Sequence, residues 1–190
     1  MRRLSPADYR RTPWKNGGGI TTELAVGPEN ATLSDFHWRV SIAEVAADGP
    51  FSLFPGSDRT IMLIEGGGMI LNAGDHGSIA LLEPLQAQSF SGDWPVFGRL
   101  VSGRVRDFNL IVRRDALHGS LKAIVFDTGC DVACPAGAIL VCHILKANTQ
   151  TAGEGDTLIT DHNLTLTASG HQPVTAILAT IQGNDRSHRV

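Results

Sequence analysis

Short extended runs, alternating or wholly apolar and broken by glycine, proline or asparagine, recur along the whole chain. In HWRVSIAEV, Trp38, Val40 and Ile42 fall on one face of a strand, and Arg39, Ser41 and Ala43 on the other. In RDFNLIVRR, Asp107, Asn109, Ile111 and Arg113 share a face opposite Phe108, Leu110 and Val112. RTIMLIEGGGMIL reads as a strand, a tight glycine hairpin at residues 66–68 and a second strand. ITTELAV and GSIALLEP read as further strands. Little of the chain reads as helix, and the pattern is that of an all-β sandwich or barrel.

After about residue 116 the pattern restarts with plainer strands: LKAIVFD, AILVCHIL, TLIT, LTLTA and TAILATIQ. GDHGSIALLEPLQAQSFSG and GEGDTLITDHNLTLTASG echo one another, each passing from Gly-Asp through strand, turn and strand to a closing glycine. Two β units are therefore expected, 1–115 and 116–190. The first holds all three tryptophans and 11 of the 13 arginines, so chemistry is to be sought there. QGNDRSHRV at the end reads as a frayed tail.

Composition narrows the function classes. With 190 residues, 42% of them hydrophobic, the chain can bury a substantial core. No apolar run approaches the roughly 18–20 residues of a membrane helix, and the basic N-terminus lacks the apolar stretch of a secretory signal. A cytoplasmic protein without a membrane partner is expected. The net charge of −3 and the dispersal of 16 Lys and Arg give no basic stripe for nucleic acid. Cys130, Cys134 and Cys142 lack CxxC spacing and read as buried thiols of a reducing compartment.

PWKNGGGITTE, WRVSIAEVAADGPFSLFPGSDRTIMLIEGGGMIL, FSGDWPV and RDFNLIVRR stand in one order over about residues 4 to 115. Together they resemble the HutD/Ves family; the second half of the chain matches it only loosely. The resemblance implies a bicupin, two small antiparallel, jelly-roll-like β-barrels in one chain, with strands that can exchange between them. It associates the protein with histidine utilisation and assigns no activity. It leaves monomer and homodimer open, since cupins often pair through sheet edges.

Ordinary cupins hold a metal with two histidines and a glutamate, the glutamate seven positions before a glycine. Arg59 stands seven before Gly66 here, Ser52 and Phe54 occupy the His-x-His places, and Gln88 occupies the place of the second-motif histidine. A guanidinium cannot ligate a metal and repels one, so no metal and no cofactor is expected. The same exchange favours a small carboxylate, held by Arg59 with Lys15 beside it. Arg59 has a structural alternative as partner of Asp58, Asp93 or Asp107.

Other polar residues carry paired readings. Glu44 shares the otherwise apolar face of Trp38 and reads either as a ligand or acid–base group, or as a buried ion-pair partner of Arg39, Arg59 or Lys15. Asp107 and Asn109 aim an acceptor and an amide into a cavity, or else form an exposed polar face. Trp38 and Trp14 read as core or as ligand platform, and Phe90 and Trp94 as rim packing. In PWKNGGG the lysine precedes the glycines, the reverse of a phosphate-binding loop. The stretch reads as a hairpin turn, or as one wall of the first barrel's pocket with Lys15 or Asn16 reaching the ligand.

Three functions compete on these residues. The first is a non-enzymatic, metal-free binder of a small carboxylate, a sensor in histidine utilisation for acids of the urocanate or formylglutamate class. The second is a metal-independent cupin isomerase or lyase acting on a polar acid or sugar-like substrate. The third is a scaffold that uses the fold for interaction alone. No GxSxG elbow marks a nucleophile.

Overall fold

The computed structural model describes residues 1–184. The chain opens with β1 (Arg2–Leu4), β2 (Arg10–Pro13), β3 (Gly19–Gly27), β4 (Trp38–Val45) and the short β5 (Gly49–Pro50). Then come β6 (Ser57–Gly66), β7 (Met69–Asn72), β8 (Ser78–Leu81), β9 (Ala87–Ser91), β10 (Phe97–Leu100) and β11 (Val105–Arg113). The remainder forms β12 (Leu117–Phe126), β13 (Gly129–Val132), β14 (Ile139–Lys146), β15 (Thr157–Thr160), β16 (Leu164–Thr167) and β17 (Val174–Gly183). Apart from two single turns of 3₁₀-helix, at Pro6–Asp8 and Gly74–His76, the regular structure of the described residues is β, as the alternation predicts. No helix among the described residues is long and apolar enough to cross a membrane.

Two compact units divide the chain. One comprises Arg10–Asp115, the other Met1–Tyr9 with the residues from Ala116 onward. The first nine residues thus leave the unit to which the sequence reading attached them, because β1 pairs antiparallel with β15, Arg3 opposite Leu158. The tail also differs from expectation. β17 continues through Gln182 and Gly183, whose ladder to Leu117 and His118 holds them in strand; the end of QGNDRSHRV, residues 185–190, lies outside the described residues.

Within Arg10–Asp115 a six-stranded sheet, β2-β3-β4-β11-β6-β9, faces a four-stranded sheet, β5-β10-β7-β8. Their shared core joins Ala43, Val45, Ile61, Leu63 and Val105 of the first sheet to Met69, Leu71 and Leu81 of the second. Within the other unit the sheet β1-β15-β14-β17-β12 and the pair β13-β16 enclose Leu140, Cys142, Leu158, Leu166 and Leu178. Burying interdigitated aliphatic side chains between two such faces is the main stabilising term, about 1.5–3 kcal/mol for each fully buried one. Among the described residues neither sheet order closes on itself, so each unit is an open-edged sandwich rather than a closed barrel.

The glycines at residues 66–68 do not form the expected hairpin. β6 pairs with β11 and β9, while β7 pairs with β10 and β8, so these glycines carry the chain from one sheet to the other. The Ser102 and Arg104 carbonyls pack where Cβ atoms of Gly67 and Gly66 would sit. The internal echo has a structural counterpart of the same kind. Each echoing segment supplies a strand to each sheet of its unit, β8 and β9 in one, β15 and β16 in the other.

Candidate functional site

The inner face of the six-stranded sheet changes character along its strands. Toward one end it is aliphatic, with Leu63 and Ala43 on either side of Asp107. Toward the other it becomes polar, with Arg59 opposite Ile111, and Ser41 opposite both Asn109 and Glu23. There the second sheet gives way to the segment after β5, which places Phe51, Ser52 and Phe54 across a gap. A cavity of about 470 Å³ fills that gap. The hairpin residues Trp14, Lys15 and Asn16 and the loop residues Thr32 and Leu33 also line it. All the lining residues belong to the Arg10–Asp115 unit.

Arg59 forms the deep end and is 5% exposed. Its Nη2 donates to Asn109 Oδ1 at 2.8 Å and its Nη1 to the Ser52 carbonyl at 3.3 Å. Its Nε has no hydrogen-bond partner. Three phenylalanine rings surround the guanidinium, with centroids 5.3 Å (Phe51), 5.4 Å (Phe54) and 5.1 Å (Phe90) from Cζ. Ring quadrupoles attract a desolvated cation by about 2 kcal/mol, which offsets part of the cost of burying it. Burial still lowers the Arg59 pKa to about 10, Asp107 opposing the shift and Arg39 adding to it. At neutral pH the side chain remains a cation.

Behind Arg59, Asn109 Nδ2 donates to Asp107 Oδ1. Asp107 is fully buried, lies outside the cavity lining, and leaves Oδ2 without a partner. Burial raises its pKa to about 7, against the opposing pull of the Asn109 hydrogen bond and the Arg59 charge. Nearer the exposed end, Arg39 Nε donates to Glu23 Oε2 at 2.7 Å and Arg39 Nη1 to Ser41 Oγ at 3.4 Å. The side chains of Lys15 and Arg10 are exposed and make no hydrogen bond or ion pair among the described residues. The lining therefore presents four cations, Arg10, Lys15, Arg39 and Arg59, and the single carboxylate Glu23, which Arg39 already engages.

Residues 13–19 fold as the β2–β3 hairpin turn, closed by Gly17 N–H donating to Trp14 O at 3.0 Å and Trp14 N–H to Gly19 O at 2.9 Å. Asn16 Oδ1 accepts from Gly18 N–H at 3.0 Å, so that side chain braces its own turn. Gly17 takes φ +71°, and a Cβ on Gly19 would collide with the Glu44 carbonyl and crowd the Trp14 ring. Trp14 Nε1 donates to Thr21 Oγ1 at 2.8 Å, and its ring meets Phe51 edge-on at 6.3 Å. Turn and cavity wall, the two readings of PWKNGGG, thus describe one object.

Of the residues singled out by sequence, Lys15, Asn16, Arg59 and Asn109 line the cavity, and so do Ser52 and Phe54. Four others do not. Trp38 is buried on the opposite face of β4, packed where a Cβ on Gly27 would lie. Glu44 sits at the end of that same face, partly exposed, and pairs with Arg11 at 3.2 Å rather than with Arg39, Arg59 or Lys15. Gln88 is exposed on edge strand β9, and Asp107 lies one side chain behind the wall. Asp58 and Asp93 serve Arg114, not Arg59. Phe90 packs on Arg59, whereas Trp94 stacks on His76 at 4.3 Å. Arg39, Glu23, Thr21 and Phe51 line the cavity without a sequence signal of their own: the alternation of β4 puts Arg39 and Ser41 together but does not say which face meets the cavity.

The donor set does not suit a metal. The lining offers no histidine or cysteine, and its one carboxylate is tied to a guanidinium. Among the described residues no group of three or more His, Cys, Asp or Glu side chains is gathered to hold an ion. Of the three free thiols, Cys142 is buried as expected, while Cys130 and Cys134 are only partly so.

A family model described as HutD matches residues 6–183. Among curated proteins the chain is similar to a 21.2 kDa protein of the region 3′ of hutC in Pseudomonas putida, 44% identical over 108 residues. That match spans 57% of this chain and 56% of the relative's length. Among solved structures, a conserved protein of unknown function from Pseudomonas aeruginosa PAO1 superposes with TM-score 0.83 at 33% identity, covering 95% of this chain and 98% of its own. HutD from Pseudomonas fluorescens SBW25 superposes with TM-score 0.74 at 32% identity, covering 96% and 98%. Vicilin from Capsicum annuum, at 8% identity and TM-score 0.67 over 96% of this chain and 86% of its own, shares the cupin-like fold alone.

Proposed function

The chain belongs to the HutD family, and from that premise we propose that the cavity of its Arg10–Asp115 unit binds a small carboxylate without a metal. The observation that carries this reading is Arg59, a buried cation with an unpartnered N–H at the deep end of a cationic cavity. A buried guanidinium that its own chain leaves partly unsatisfied is a recognition group for an acceptor of matching geometry. About 470 Å³ suits a metabolite-sized acid.

The family name and the hutC neighbourhood of the P. putida relative support an acid of histidine breakdown, of the urocanate or formylglutamate class. The binder acts in the cytoplasm as a sensor or regulator of that pathway. What supports sensing over turnover is the state of the lining's proton-carrying groups: Glu23 is held by Arg39, and Lys15 stands exposed.

A thermal-shift screen with urocanate, N-formylglutamate and formate, each against its neutral amide, tests the reading. A carboxylate at a hundredfold excess over its Kd stabilises by about 2.7 kcal/mol, a rise of about 5–10 °C, and the amide leaves Tm unmoved. The absence of a shift with every carboxylate overturns the proposal. Turnover of a bound acid, followed by NMR, replaces it with the isomerase or lyase reading.

A further inference from the structure

Asp107 has no place in the cavity wall, yet it is wired to it. Its Oδ1 accepts from Asn109 Nδ2, and Asn109 Oδ1 accepts from Arg59 Nη2 at 2.8 Å. Asn109 is thereby oriented from both sides: its oxygen must face Arg59 and its amide nitrogen must face Asp107. Asp107 Oδ2, by contrast, meets no donor.

The surroundings of Asp107 offer no second cation at close range. Its cross-strand neighbours are Ala43 on β4 and Leu63 on β6, both buried and apolar. Beyond them on β3, Thr21 lies opposite Ala43. The charged groups of this inner face are Arg59 on β6, Arg39 on β4, Glu23 on β3, Arg10 on β2 and, at the far end of β11, Arg113; Arg39 and Glu23 satisfy each other, Arg10 is exposed, and Arg113 donates to the Pro55 carbonyl. Arg59 is thus the cation that holds Asp107 ionised, and burial opposes it.

An anion held by Arg59 removes that support. Its charge cancels the guanidinium's field at Asp107 and adds a repulsion of its own, in surroundings where charges are poorly screened. The unpartnered Oδ2 is where a proton can then reside.

Resting on the reading of the cavity as an anion site, we propose that Asp107 is its proton-holding positioning residue, so that binding a carboxylate at Arg59 draws a proton from solvent onto Asp107 Oδ2. One proton and one anion enter together, and the net charge of this part of the protein is conserved. By linkage the coupling is reciprocal: acidification tightens binding as much as binding favours protonation. No histidine or cysteine lines the cavity to give the same signature.

Calorimetric titration with N-formylglutamate and with formate, between about pH 5.5 and 8.5, tests this in paired buffers of differing ionisation enthalpy. The expected result is uptake of up to one proton per ligand near and above neutrality, with Kd weakening up to tenfold per pH unit there and flattening in acid. Asp107→Asn, which copies the protonated shape, should bind with near-constant Kd and take up no proton. Should that variant not fold, the proton count of the wild-type protein decides alone. Binding with a pH-independent Kd and no proton uptake overturns the coupling and leaves the anion site standing. Uptake that persists in Asp107→Asn assigns the proton elsewhere and overturns the role of Asp107. Failure of both acids to bind at any pH overturns the anion site and the coupling together.

Discussion

Arg59 Nη2 lies 2.8 Å from Asn109 Oδ1, and this one bond joins the deep end of the cavity to a carboxylate that the cavity never touches. Arg59→Met removes the donor, the charge and the stacking cation at once. It leaves Asn109 Oδ1 buried without a partner, a loss of about 1–3 kcal/mol, read by urea denaturation. Carboxylate affinity should fall more than tenfold. Arg59→Lys keeps the charge without the planar fork and should fall between the two.

Asp107 makes the protein's stability depend on pH. Its pKa is raised from 3.8 to about 7, so the folded chain holds the proton more tightly than the unfolded chain. The stabilisation from that proton is complete below about pH 4 and is lost as pH rises through about 7. Asp107→Asn, neutral throughout, should therefore melt above wild type at pH 8 and near it at pH 4. Each kcal/mol gained appears as about 2–4 °C in Tm. A variant that melts lower than wild type at pH 8 would show that the ionised carboxylate is well supported.

The three glycines of the β2–β3 turn differ in what they tolerate. Gly19→Ala drives a methyl into the Glu44 carbonyl and the Trp14 ring, so the turn must move; about 1–3 kcal/mol is expected. Gly17→Ala meets no atom within 4 Å and suffers only from φ +71°, about 1–2 kcal/mol. Gly17→Asn should be milder still. Because the turn forms one wall of the cavity, Gly19→Ala should weaken carboxylate binding as well, and Gly17→Asn should not. Denaturation midpoints and binding titrations on the three variants check the order.

Charge at the cavity and charge elsewhere separate cleanly. Glu44→Gln breaks only the partly exposed pair with Arg11 and should leave carboxylate affinity within about twofold. Lys15→Ala removes an unpaired lining cation and should weaken binding about two- to fivefold without lowering Tm. Trp38→Phe should do the reverse, loosening the packing against Gly27 while sparing affinity.

Alternation along β4, β6 and β11 made those strands legible, and the echoing segments announced two β units. What alternation cannot supply is the identity of the functional face when a sheet is covered on both sides. Trp38, Val40 and Ile42 are buried, and so are Ser41 and Ala43 on the opposite face, so burial alone gives Glu44 no claim on the cavity. At the end of its strand, Glu44 simply reaches solvent and Arg11. The glycines at residues 66–68 have good turn chemistry, but local turn chemistry does not say which strands pair across it. The aromatic surround of Arg59 is a long-range object, built from positions 51, 54 and 90. Only the order of family motifs pointed to Arg59, and it did so by what a cation displaces.

The phenylalanine surround gives the cavity two electrostatic regimes. Mobile counter-ions reach Lys15 and Arg10 in the open, where the Debye length is about 8 Å at physiological ionic strength. They do not pass between three phenyl rings to Arg59. Added salt should thus slow the capture of an acid while barely hastening its escape, the pattern of a site that attracts through its rim and retains through its floor.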